Sequence, residues 1–401
     1  MEAGVEICNS DGYSSRRTEP GPLIVYADGP GEPRSAPADV AAAVGLSGIP
    51  EVILGVMFDN HPWMSSPGLR GRATMAGFAA RRAVAEGRLT PVSVRLSAIA
   101  ALITYAEPDV CVVTGVPRGA GFAFGATIGW GAAAARAAKA VVIEVDEDGF
   151  DYGGMLIPGN IVTTIPRPAA YEVPEFASRP ADEIDLRIGA LVASLIPDDA
   201  TLQFGPGGIA EGIVGALDRP VSIWTGLVTD AMAELAPRGL LHGRVTGGYV
   251  WGGEPCRDLA RAGLLDHQPI EVTHDIGLIS AIPRFVGCNT ALQVGLDGSV
   301  NVERVNGRTI TSIGGHSDFC TGAVRSLGGI SVIALRSTTP SGASAIVAQV
   351  ETVSTQRSDV SVVVTEHGIA DLRGTGDIER ARRLAAVAAP EHREGLRAGR
   401  S

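Results

Sequence analysis

Short apolar runs alternate with longer stretches of helical periodicity along most of this chain. Buried strands separated by helices give that pattern, so it predicts an α/β protein. Pro22-Leu23-Ile24-Val25-Tyr26 predicts a short strand. The turn Gly29-Pro30-Gly31-Glu32-Pro33 follows, then a helix over 37–44, where Pro37 suits the first helical turn. Val52-Ile53-Leu54-Gly55-Val56 predicts a second strand. Residues 73–86 carry a helical pattern that stops at Gly87, residues 109–114 read as a buried strand, 131–139 as an Ala-rich helix and 140–145 as another strand.

Residues 155–180 hold Pro158, Pro166, Pro168, Pro174 and Pro180 and read as a linker. A second series then begins. A helix is expected over 182–196, with Leu186, Ile188, Leu191, Val192 and Leu195 as its apolar residues, and Ala200-Thr201-Leu202-Gln203-Phe204 is the strand after it. Further strands are expected at 221–224, 270–273, 330–335 and 360–365, and the last helix is expected to start near Asp377, a suitable N-cap. This order divides the chain into a flexible tail over 1–20, one α/β half over 21–175 and a second over 176–401. A site is expected in the crevice between the halves.

At 401 residues the chain exceeds what one core normally fills, which agrees with two domains. The net charge of −11 and the lack of a basic run argue against nucleic acid as a partner. Lys139 is the sole lysine, so phosphates of any ligand would be met by arginine or backbone N–H groups. Cys8, Cys111, Cys256, Cys288 and Cys320 form no CxxC pair, as expected of reduced thiols in the cytoplasm. A signal pattern and a membrane-length apolar run are both lacking, so no membrane partner is expected.

The chemistry concentrates in Ala291-Leu292-Gln293-Val294-Gly295-Leu296-Asp297-Gly298-Ser299-Val300-Asn301 and in Ile313-Gly314-Gly315-His316-Ser317-Asp318-Phe319. These strings resemble the catalytic segment of the acetyl-CoA hydrolase/transferase family, which includes acetate and 4-hydroxybutyrate CoA-transferases. Val363-Val364-Thr365-Glu366-His367-Gly368-Ile369-Ala370-Asp371-Leu372-Arg373-Gly374 is similar to that family's Val-Val-Thr-Glu-Tyr-Gly-Val-Ala-Asp-Leu-Arg-Gly. Leu96-Ser97-Ala98-Ile99, Gly121-Phe122-Ala123-Phe124-Gly125 and the stretch from Leu195 to Ile209 resemble further family strings, so the likeness runs along nearly the whole chain. It implies two similar open-sheet α/β domains of the CoA-transferase type with the site between them, and a homodimer.

The departures carry the interest. The resemblance implies a glutamate nucleophile where this chain has Gln293, and a glutamine where it has His316. Ala98 stands at another glutamate position, and Trp224-Thr225-Gly226 stands where the family has His-Thr-Glu. An amide carbonyl is uncharged and delocalised and cannot replace an anionic nucleophile, but glutamine can donate an N–H to a thioester carbonyl. The pair Gly314-Gly315 lets backbone N–H groups approach an oxyanion, and His316 beside it can take a proton from an attacking acceptor. His316, Asp318 and Cys320 alternate but lack a second ligand cluster, so no metal is expected.

Gly205-Pro206-Gly207-Gly208-Ile209-Ala210 formally matches GxGxxA, yet the acidic residue expected about twenty positions later is missing. The resemblance makes Gly205, Gly207 and Gly208, with Trp224, Gly314, Gly315 and Asp297, the wall of an acyl-CoA site. Glu366 and Asp371 read as fold-stabilising, and the cysteines as small buried residues.

The reading is an enzyme that passes an acyl group from a CoA thioester directly to water or a small alcohol or amine, in a specialised biosynthetic role, with His316 and Gln293 catalytic. It needs no bound cofactor, since CoA arrives as substrate. Two alternatives stay open: a true CoA-transferase using Asp297 or Glu303, and an acyl-CoA-binding pseudoenzyme.

Overall fold

The chain folds around two eight-stranded sheets wound in the same way, as a computed structural model covering residues 21–168 and 180–398 shows. The tail over 1–20, Cys8 and the 175/176 boundary lie outside the described residues. In the first sheet Leu23–Tyr26 is central. Glu51–Leu54, Gly71–Ala73 and Leu89–Pro91 add outward on one side, then Val110–Arg118, Ala140–Val145 and Ile161–Pro166 on the other. The second sheet repeats the scheme. Thr201–Phe204 is central, Val221–Trp224, Leu241–Gly247 and Leu265–His267 go one way, and Phe285–Asn289, Ile330–Ala334 and Val362–Thr365 go the other. All these pairings are parallel; Gly121–Phe124 and Gly368–Asp371 add antiparallel.

Parallel strands covered on both faces read as continuous apolar runs. Leu23, Ile24, Val25 and Tyr26 are all fully buried, and burying an aliphatic side chain of this size contributes roughly 1.5–3 kcal/mol. Each sheet reverses its winding beside its central strand, and ligands of open α/β sheets bind outside the carboxyl ends of the strands at such a reversal.

Four expectations change. Residues 270–273 are a helical turn, Ile270–Thr273, instead of a strand, because a four-residue apolar run has no decisive period. The proline-rich stretch contributes the edge strand Ile161–Pro166, where proline is tolerated. Of residues 73–86 only Ala80–Ala85 is helical, and Gly71–Ala73 is a strand. The helix Asp377–Val387 has Gly376 as its N-cap, and Arg393–Ala398 follows it.

The helices Glu183–Ala193 and Gly208–Ala216 pack through paired glycines. A Cβ on Gly189 would lie 2.2 Å from the Gly212 carbonyl carbon. Asp182 caps the first helix through the Ile184 and Asp185 N–H groups, and Arg336 ties both aspartates to the end of Ile330–Ala334. Backbone cannot yield as a side-chain tip can, so Gly189→Ala should destabilise the fold by about 1–3 kcal/mol. A lowered urea midpoint would show this; an unchanged midpoint would mean the helices separate freely.

Candidate functional site

The two halves meet along a hydrogen-bonded seam. Ile128 and Gly129 donate to the Gly248 carbonyl, Val250 donates to Ala126, and Ile270 donates to Gly129, all at 2.8–3.1 Å. Tyr249 buries its ring in the first half's core, and its hydroxyl lies 3.2 Å from Asp28, the residue two beyond the central strand of the first sheet. Burial raises the Asp28 carboxyl to about 7, against hydrogen bonds that include the Val56 N–H and the Tyr249 hydroxyl.

A second contact joins the halves at the Gly314 loop. Leu96 donates to the Gly314 carbonyl at 3.1 Å, and Ala76 donates to the Ser312 hydroxyl at 2.9 Å. Fully buried Asp318 accepts from the Ser97 N–H at 3.1 Å and its hydroxyl at 2.6 Å. Burial raises the Asp318 carboxyl to about 6, with the Ser97 bonds opposing.

The imidazole of His274 forms the underside of this loop. Its Nε2 would lie 2.5 Å from a Cβ on Gly315 and 2.9 Å from one on Gly226, so both glycines make room for the ring. Nδ1 is 2.9 Å from the Thr273 hydroxyl, and Phe319 packs at 4.9 Å between centroids. Burial pushes His274 down to about 3, leaving it neutral at physiological pH. Sequence reasoning passed over His274; the available signal was the glycine at 226, a residue small enough to admit a neighbour.

His316 opens the helix His316–Arg325, with Nδ1 2.8 Å from the Thr355 hydroxyl. Its Nε2 is buried without a hydrogen-bond partner, although the Thr290 backbone is close enough to favour the protonated ring slightly. Burial lowers His316 to about 4. It is therefore a free base at neutral pH, and a weaker one than an ordinary imidazole.

Gln293 begins the strand Gln293–Gly295, and its Oε1 accepts from Asn301 Nδ2 at 3.0 Å. That fixes the amide and leaves its N–H₂ as the donor end. Gln293 and His316 share a framework: Asn301 adjoins Val300, which pairs with Thr355, whose hydroxyl holds His316. The strand ends at Gly295, so Asp297 sits in a turn, accepting from Ser299. Glu303 accepts from the Ser354 hydroxyl at 2.7 Å.

The remaining residues fall apart spatially. Gly207 lines a separate cavity of about 420 Å³ with Pro206, Thr229, Arg238 and Trp251. Gly205 precedes it with no atom near its Cβ position, and Gly208 lies against Asp185. Trp224 donates its indole N–H to the Thr273 carbonyl at 2.9 Å and packs on a small core that includes Phe285 and Phe319. Glu366 accepts from Ser337 and Asp371 from Arg373, both within their own folds. Cys288 and Cys320 are buried, which pushes each thiol up to about 12 and leaves them unreactive as nucleophiles. Among the described residues no group of three His, Cys, Asp or Glu side chains is placed to hold a metal, and no helix is long and apolar enough to cross a membrane.

A larger cavity, of about 920 Å³, lies between the halves and is lined by residues that the sequence did not single out as a site. It opens at the winding reversal of the first sheet and is lined by Asp28, Thr114, Arg167, Phe150, Tyr152 and Trp251 among others.

Comparison with known proteins fits this architecture. A RipA structure from Yersinia pestis superposes with a TM-score of 0.81 at 24% identity, covering 96% of this chain and 94% of its own. The fold is therefore that of the CoA-transferase type. A 4-hydroxybutyrate CoA-transferase from Porphyromonas gingivalis superposes with a TM-score of 0.73 at 25% identity over 95% of this chain and 93% of its own. The 4-hydroxybutyrate coenzyme A transferase of Clostridium kluyveri is 29% identical over 318 residues, 75% of this chain and 72% of its own. Residues 258–399 match the acetyl-CoA hydrolase/transferase C-terminal domain. The C-terminal part of the chain thus matches that domain, and the chain as a whole is similar to proteins named as CoA-transferases.

The depressed histidines make stability depend on pH. In the unfolded chain each binds its proton near 6.5; in the fold His316 does so only near 4 and His274 near 3. Unfolding therefore takes up protons as pH falls below 6.5, and each histidine costs the fold about 1.4 kcal/mol per pH unit within its window. Asp28 and Asp318 act in the opposite direction, so the comparison must isolate one site. His274→Leu should lose less stability than the parent between pH 7 and pH 5 by urea denaturation. Equal losses would mean that His274 titrates normally.

Proposed function

We propose that this chain is an acyl-CoA-processing enzyme that passes an acyl group from a CoA thioester directly to water or a small alcohol or amine, without a glutamyl-CoA intermediate. Acyl-CoA chemistry is supported by the matched acetyl-CoA hydrolase/transferase domain and by relatives named as CoA-transferases. The finer reading is carried by one observation. At Gly226, where the family pattern has a glutamate, the neutral ring of His274 fills the space between that residue and Gly315.

In this reading the thioester carbonyl oxygen lies against the Gly315 N–H and the first turn of His316–Arg325, where a helix end favours developing negative charge. The N–H₂ of Gln293, oriented by Asn301, is a further donor to the thioester. As the acceptor's oxygen or nitrogen bonds to the acyl carbon, His316 takes its proton and CoA leaves as the thiolate. The carboxylates of Asp297 and Glu303 are engaged with Ser299 and Ser354, which argues against either as a replacement nucleophile. A cytoplasmic homodimer belongs to the same proposal and rests on the family resemblance.

Two measurements test this. Intact-mass analysis after exposure to acyl-CoA should show no added acyl or CoA group; a CoA adduct on a peptide containing Asp297 or Glu303 would restore the transferase mechanism. His316→Ala should lower kcat by about 10²-fold or more in a free-thiol assay with acceptor present. Undiminished turnover would remove His316 as the base.

A further inference from the structure

Three aromatic rings from three distant segments meet beside the Gly314 loop. Phe58 lies 5.0 Å from Phe78 and 4.3 Å from Trp251, measured between centroids. Trp251 lines both the cavity of about 920 Å³ and that of about 420 Å³, so the cluster stands where two concavities adjoin.

Phe78 is unusual on two counts. Its ring is 48% exposed, and its φ is +51°, a backbone conformation that bulky residues rarely adopt. Strain of this kind persists where the surrounding structure enforces it, and an observed outlier of this kind points to function. The surroundings here include the Gly314 loop, reached through residues just before Phe78. The segment leading to Phe78 lies against that loop, since Met75 reaches Gly314 and Thr311 donates to Met75 Sδ. A Cβ on Gly77 would lie 3.0 Å from the Thr311 hydroxyl.

We infer that Phe58, Phe78 and Trp251 form the seat of an apolar acyl chain larger than acetyl, carried as a CoA thioester. This rests on the acyl-CoA reading above and names the substrate class. A partly exposed aromatic cluster flanked by cavities and continuous with the loop suits a chain attached to a thioester at that loop. The faces of the rings are flat, apolar and uncharged, as an alkyl or aryl chain requires.

The test is calorimetric binding of acetyl-CoA, octanoyl-CoA and benzoyl-CoA to the full chain, using Phe78→Gly and Trp251→Ala. The parent should bind octanoyl- or benzoyl-CoA at least about tenfold more tightly than acetyl-CoA. Phe78→Gly should remove most of that preference by weakening octanoyl- and benzoyl-CoA far more than acetyl-CoA. Its melting temperature should hold or rise, because glycine accepts a positive φ without strain. A ring that served only packing would instead lower the melting temperature and affect all three ligands alike, which would overturn the proposal. Binding of all three with equal affinity by the parent would overturn the acyl seat while sparing the acyl-CoA reading. Failure to bind any of the three would overturn both.

Discussion

The pairing of residues 126–129 with 248–250 across the two halves is the constraint on which the rest of the structure depends. It is backbone to backbone, so it fixes the distance between the carboxyl edges of the two sheets independently of side-chain rotamers. Tyr249 then anchors it, with its ring in the first half's core and its hydroxyl on Asp28. The fit tolerates no addition at Gly129, where a Cβ would lie 2.6 Å from an Asp28 oxygen. Through Tyr249, whose N–H donates to the Gly226 carbonyl at 3.0 Å, the seam also holds the residue that makes room for His274. Cavity, seam and Gly314 loop are therefore one mechanical unit.

That unit gathers Trp224, Gly226 and His274 in one place. Trp224 binds the carbonyl of Thr273, whose hydroxyl meets His274. Gly226 admits the His274 ring. A carboxylate side chain at 226 would compete with that ring for the same volume.

Much of the fold could be read from the sequence, because parallel strands buried on both faces leave uninterrupted apolar runs such as Leu23–Tyr26 and Ala140–Val145. The repeated winding could not, since strand order is decided by which edge each helix crossover reaches, a long-range choice. Ile161–Pro166 was hidden because an edge strand needs few buried residues. The Gly314-Gly315-His316 loop was visible through its resemblance. His274 was not, because its importance lies in two glycines, 48 and 41 positions away in the chain, that touch its ring. The crevice between the halves was expected, but the lining of the larger cavity was not, since Asp28 and Trp251 come to it from opposite halves.

The electrostatics around the loop follow from burial. It drives His274 and His316 to the neutral form, holds the Cys288 and Cys320 thiols protonated and moves Asp318 toward neutrality. A nucleophilic carboxylate in such surroundings would carry a heavy desolvation penalty unless paired. Backbone dipoles behave differently: their partial charges need no counter-ion, and their influence on a developing oxyanion grows as water is excluded. A site of neutral rings and oriented N–H groups is thus suited to stabilising charge that appears during a reaction rather than to storing it beforehand. Any attack on a thioester carbonyl makes that demand, because the carbonyl oxygen takes up the charge whichever nucleophile adds.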